Sequence, residues 1–302
     1  MKEIVAIALN TFKEAIRNRI LYFILVFAVI LILLSGVLSE LTYADRGKII
    51  MSFGFTAINV FAAAIAVFVG VSLVYNELEK RTIYTIVSKP IGRWQFLLGK
   101  YFGLLLTVWV NIVVMTVVFL TMVHYYVMVA DPTWHHAWFM TVGRAVGRGL
   151  VTPFWWNLYP ETSVVMPVIA VTMLEMAMVT AFAVLFSSFS TPVLSMMFTV
   201  MLFVAGRLNE DIVRFCVTLQ DRALKAALAN QTPYTHELSP AYHFANWAAH
   251  VTPNLGVFHK VVEQAVFEHK VNLWHWSIPY GILYTIAVLA LAIVIFQRRN
   301  FK

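Results

Sequence analysis

Glu175 lies near the centre of a long apolar run, 164–186, and its charge needs a reason. An ionised side chain at that depth is costly, so it faces a partner, a polar cavity or the bundle interior. Two readings are open: a polar contact that changes as the protein moves, or a buried packing hydrogen bond to a serine or threonine. A second concentration of charge is the stretch NELEKRTIYTIVSKPIGRWQFLLGK, residues 76–100. There Glu77 precedes Lys80 and Arg81 by three and four residues, the favourable order for ion pairs on one helix face. Pro90 ends such a helix, because the residue before a proline is pushed out of helical dihedrals, and Gly92 turns the chain back. A short rigid charged helix between two spans can carry force from a soluble partner, which a floppy linker cannot. The plainer alternative is a charged loop that only sets topology.

Other chemistry is poorly supported. Nine histidines (124, 135, 136, 236, 243, 250, 259, 269 and 275) could in part converge on a metal, since neutral imidazole is a common ligand. The chain has no HExxH, no HxxxH on one clean helix and no cysteine partner for them, and aromatic-rich interfaces recruit histidine for its amphipathic ring, so no metal site is expected. The single cysteine, Cys216, excludes an intramolecular disulfide. No GxxxxGK[ST] phosphate loop and no Ser/His/Asp spacing is present, and Glu263 and Glu268 read as a solvated helix face. No catalytic residue and no cofactor are therefore expected on this chain.

The elements that position these charges are membrane helices. The 302 residues are 61% hydrophobic and 12% charged, with a mean hydropathy of 0.78, whereas soluble domains are about half apolar and about a quarter charged. Uninterrupted apolar runs read as helices, because barrel strands alternate apolar with polar residues. The expected fold is an all-α membrane protein, one transmembrane domain over 1–302 with six spans at 20–38, 49–75, 97–127, 164–186, 193–213 and 278–296. Residues 1–19 read as an interfacial helix, with Ile4, Ala8, Phe12 and Ala15/Ile16 on one stripe and Lys13, Arg17 and Arg19 at headgroup level. This leader is too long and too mixed in charge for a cleaved signal peptide, so the N-terminus is expected to be retained. Lys100 is expected to snorkel back toward the headgroups.

Span 5 is irregular. Only 193–205 is cleanly apolar before Gly206 and Arg207, so it is tilted, extended through Ile212 and Val213, or incomplete. Two extracytoplasmic regions, 129–163 and 207–275, follow spans 3 and 5. The second contains two expected amphipathic helices, 210–229 and 254–268, separated by Pro233 and Pro240.

Lys and Arg placement sets the orientation. Four basic residues in the leader, five in 76–100 and three at the C-terminus make twelve of the 22, against the acids Glu3, Glu14, Glu77 and Glu79. That side nets +8, so both termini are expected to be cytoplasmic, and the basic balance reports topology with no support for nucleic-acid binding.

The string with Glu77, Glu79, Arg81, Thr82, Tyr84, Ser88-Lys89-Pro90, Arg93 and Gly99-Lys100 closely resembles the permease subunits of ABC-2-type ATP-binding-cassette exporters. The similarity extends through Thr11, Phe12, Ala15, Arg17 and Arg19, the Ser187-Ser188 break, Thr252-Pro253-Asn254-Leu255 and Arg298-Arg299-Asn300-Phe301. It looks most like the branch that includes the nitrous-oxide-reductase maturation permease. The outer region between spans 5 and 6 is larger than a minimal member needs, so no relative's cargo is carried over. The resemblance implies a bacterial or archaeal cytoplasmic-membrane protein working as a homodimer with two copies of a cytoplasmic ABC ATPase, which carries ATP and Mg. It makes 76–93 the coupling helix, with Glu77, Glu79, Lys80, Arg81, Thr82, Tyr84, Lys89, Pro90 and Arg93 as docking residues. The leading expectation is the permease of an exporter for lipidic or amphipathic cargo, set among membrane lipids. The runner-up is a membrane anchor that transmits force to a periplasmic protein or assists metalloprotein maturation.

Overall fold

A computed structural model describes residues 2–40, 46–79, 92–130, 164–229, 242–243, 246–247, 252–268 and 277–298. Among them the chain forms eight helices of three turns or more and no strand: α1 Lys2–Ile16, α2 Arg19–Glu40, α3 Arg46–Glu79, α4 Arg93–Ala130, α5 Val165–Phe189, α6 Pro192–Ala229, α7 Gly256–Glu268 and α8 Ser277–Arg298. Six of these, α2 to α6 and α8, are long and apolar enough to cross a membrane.

The hub is α5, apolar on every side and buried on nearly every side, as a helix enclosed by its neighbours must be. It packs against α3, α4, α6, α7 and α8. Small residues set the closest approaches: Ala62, Ala63 and Ala66 are buried on α3, and a Cβ on Gly70 would lie 3.6 Å from the Ala183 methyl of α5. Tyr101 of α4 donates its hydroxyl to the Ala177 carbonyl of α5 at 3.2 Å, satisfying a polar group in the apolar interior.

The leader packs more closely than an amphipathic stripe requires. Gly99 and Gly103 of α4, four residues apart and so on one helix face, leave a groove into which α1 sinks. A Cβ on Gly99 would lie 2.7 Å from Ile7 Cβ, and one on Gly103 would lie 2.6 Å from the Ala8 carbonyl oxygen. The buried line of α1 is Thr11 and Ala15, while Ile16 turns outward with Val5 and Leu9. Lys100 does not snorkel: it is 1% exposed, with its Nζ 3.8 Å from Glu14 Oε2 of α1 and 6.0 Å from the Phe96 ring centroid. The docked leader roofs this side chain over and supplies its countercharge.

The largest departure from expectation is α6. The helix of span 5 is long and apolar enough to cross, and 210–229, expected as a separate amphipathic helix, continues it without a break. The 38 residues of α6 extend about 57 Å at ~1.5 Å per residue, well beyond a hydrocarbon core of about 30 Å. No proline interrupts 193–229, and one interior glycine, Gly206, costs the helix only about 1 kcal/mol. The turn before α6 is built from Ser190, whose N–H donates to the Phe186 carbonyl at 3.0 Å, and from Pro192, preorganised for the first helical position.

At the end of the bundle carrying the termini, Arg93 Nη1 of α4 donates to the Gln297 carbonyl of α8 at 3.1 Å, and the Phe96 and Phe296 rings stack at 6.2 Å. Residues 76–79 form the last turn of α3. Lys80, Arg81, Thr82, Tyr84, Lys89 and Pro90, with most of the loop 129–163 and His135, His136, His236, His250, His269 and His275, lie outside the described residues.

Candidate functional site: a buried charge network

Glu175, 1% exposed, is the centre of a polar cluster drawn from four helices. Asn59 Nδ2 of α3 donates to Glu175 Oε2 at 2.6 Å. Arg207 Nη1 of α6 donates to Glu175 Oε1 at 2.8 Å and to Asn59 Oδ1 at 3.2 Å. A carboxylate only accepts and a guanidinium only donates, so the Asn59 amide between them has one satisfactory orientation. The result is a closed triangle in which each member bonds to the other two, as burial of a charge demands.

The partners are Asn59 and Arg207, and the serine or threonine of the packing reading is not among them. Neither was found from the sequence, although one signal was present. The turn joining α5 to α6 is two residues long, so residues equally far from it along the two antiparallel helices lie at the same depth. Glu175 is 14 residues before Phe189 and Arg207 is 15 residues after Pro192, about 21 Å and about 22 Å along their helices at ~1.5 Å per residue. Opposite charges at matched depth on a helical hairpin meet where both helices turn those faces to the seam, as Glu175 and Arg207 do. Read along the chain alone, Arg207 looked like the end of an apolar run.

The fourth helix is α7, and its attachment can be built residue by residue. The Leu255 N–H donates to the Gly206 carbonyl at 3.0 Å, and a Cβ on Gly206 would lie 2.8 Å from the Pro253 carbonyl oxygen. Asn209 Nδ2 donates to Thr252 Oγ1 at 2.8 Å, and the Asn254 N–H donates to the Tyr280 hydroxyl of α8 at 2.8 Å. Thr252 to Leu255 is thus clamped between α6 and α8. Phe258, Val261, Ala265 and Val266 of α7 are buried, which lays this helix against α3, α5 and the middle of α6.

That placement brings His259 Nδ1 to 3.0 Å from Arg207 Nη2, and His259 Nε2 to 3.5 Å from Glu263 Oε1. Partial burial, and then the guanidinium beside it, hold this imidazole below its ordinary pKa, against the opposite pull of Glu263, Glu210 and Asp211. Lys260 Nζ lies 2.9 Å from Glu210 Oε1, a second and solvent-facing ion pair between α7 and α6.

Chemically the cluster is a clamp: it holds α3, α5, α6 and α7 in one register through charge-assisted bonds. Among the described residues no three His, Cys, Asp or Glu side chains gather as metal ligands. Of the expected docking residues only Arg93 has a described side chain, and it lies at the terminal end, bonded to the Gln297 carbonyl and away from Glu175. Residues 5–301 match the family described as ABC-2 family transporter protein, without distinguishing the nitrous-oxide-reductase branch. A comparison with curated proteins found no match.

Proposed function

We propose that this chain, which belongs to the ABC-2 transporter family, exports a lipidic or amphipathic substrate as a homodimer driven by two copies of a cytoplasmic ATPase. Family membership itself makes it a multi-pass membrane component of an ABC transporter, of a kind that sits in the cytoplasmic membrane and normally pairs with a cytoplasmic ABC ATPase. Such permeases are not themselves catalytic.

In the proposed cycle the ATPase engages 76–93, through Glu77, Glu79, Lys80, Arg81, Thr82, Tyr84, Lys89, Pro90 and Arg93. Two connections support a mechanical role for that segment. It begins as the last turn of α3, which carries Asn59, and it ends at Gly92 and Arg93, tied to α8 and leading into α4, on whose Gly99 and Gly103 the leader docks. Movement of 76–93 is therefore movement of α3 and of the α1–α4–α8 layer. The opposite end, expected to face outward, is covered by α7 over the Glu175–Arg207 triangle. The reading rests chiefly on that triangle: a polar clamp joining the helix that enters the coupling segment to the helix covering the far end. Separation of α3 from α5 and α6 breaks it and frees α7. Exposed apolar faces on α2 and α6 support a second copy packing there, with lipid on the remainder; α3 is largely enclosed within its own protomer.

Co-purification with a cytoplasmic ATPase, followed by ATPase assays in liposomes with and without candidate lipids, tests this. A stable complex whose turnover responds to lipid is expected. A chain that remains a monomer with no ATPase partner refutes it.

A further inference from the structure

The cover helix α7 and the turn before it meet α6 in three ways, one of them the solvent-facing Lys260–Glu210 ion pair. Thr252 to Leu255 is pinned by bonds between groups that do not titrate near neutral pH, whereas the contact at His259 depends on the protonation of one ring. A guanidinium offers N–H donors and no acceptor, so Nδ1, 3.0 Å from Arg207 Nη2, must be the unprotonated ring nitrogen. The ring proton then sits on Nε2, toward Glu263. The bond exists only for a neutral imidazole. A second proton would set N–H against N–H and place one cation beside another.

We propose that His259 is a proton-operated latch: acid on the face covered by α7 loosens this helix from Arg207. The proposal rests on the reading of α7 as a cover and adds its regulation. The charged groups facing the ring among the described residues are Arg207, Glu210 and Asp211 of α6 and Glu263 of α7. Glu175 of α5 sits behind the guanidinium and holds it in place, and α3 contributes only the neutral Asn59. The three acids favour an imidazolium, but the guanidinium is nearest and partial burial works in the same direction.

The sign follows from linkage. Latched, His259 titrates below its ordinary value; released, it returns toward about 6.5. Release therefore takes up a proton, so the latch is fully present above about pH 6.5 and is lost as pH falls below it, by at most about tenfold per pH unit for one proton.

The test is hydrogen–deuterium exchange of the full-length protein in lipid nanodiscs from pH 5 to 8, corrected for intrinsic exchange, with α5 amides as internal reference. Protection of 256–268 should fall below about pH 6.5, with a slope of up to about tenfold per unit. His259→Gln, whose amide oxygen still accepts from Arg207, should keep α7 protected with no slope. His259→Lys, a fixed cation, should leave α7 loose at every pH. An absent slope in the wild type, or the same slope in His259→Gln, overturns the proposal. If acid loosens α7 through His259 while ATP turnover never moves α7, the latch stands and the cover reading fails; ATP-driven movement of α7 with no pH slope overturns the latch alone.

Discussion

Removing Arg207 should damage this protein more than removing Glu175, and removing both should damage it less than removing Arg207 alone. At the 2.8 Å separation of Nη1 and Oε1, an effective dielectric of about 20 gives a gross attraction of about 6 kcal/mol. Desolvation of the two ions offsets much of that, so the net worth of the pair is small while the cost of breaking it is not. Glu175 is 1% exposed and Arg207 22% exposed, so the two single variants differ. Arg207→Met leaves a carboxylate with no route to water and should cost about 3–5 kcal/mol. Glu175→Gln leaves a guanidinium that still reaches solvent and His259, and should cost about 1–3 kcal/mol. Thermal unfolding in nanodiscs, followed by tryptophan fluorescence, should place Arg207→Met lowest by on the order of 10 °C. Glu175→Gln should fall between it and the wild type, and Glu175→Gln/Arg207→Met above Arg207→Met. A double variant whose loss equals the sum of the single losses would refute the buried pair.

Three further outcomes follow from other contacts. Gly103→Leu drives a side chain into the Ala8 carbonyl and Thr11, so α1 should leave its groove at a cost of about 1–3 kcal/mol, read as lost amide protection over 2–16. Gly206→Val points its Cβ at the Pro253 carbonyl, a backbone atom that cannot rotate away; protection of α7 should drop while that of α5 holds. Charge reversal at Glu77 and Arg81 should abolish lipid-responsive turnover without lowering the unfolding temperature, and unchanged ATPase binding and coupling would count against 76–93 as the docking segment.

Five of the spans were legible because each carries enough consecutive apolar residues to dominate any local signal, and span 5, with only 193–205 cleanly apolar, was the exception. The leader was legible as a helix, but its docking was not, since the Gly99–Gly103 pair sits inside a longer apolar run. A buried Lys100 also contradicts the usual behaviour of lysine near a span end, and its countercharge, Glu14, comes from the packed leader. Gly206, Arg207 and Asn209 disguised the middle of α6 as its end. Their polarity is satisfied by residues remote in sequence, Asn59, Glu175, Thr252 and His259, and a reading along one helix cannot supply such partners. Glu175 was identified from its cost alone, because an intramembrane carboxylate demands company whatever its identity.

The central claim is that ATP turnover on one side of the membrane moves α7 against α6 on the other. Leu208 and Phe267 have exposed side chains on these two helices, and Cys216 can be replaced by serine to leave only introduced thiols. Spin labels at Leu208→Cys and Phe267→Cys, in the lipid-reconstituted complex with its ATPase, report the distance directly by double electron–electron resonance. A distance distribution that shifts between the nucleotide-free and the vanadate-trapped complex is predicted. An unchanged distribution in a complex that hydrolyses ATP would contradict the account.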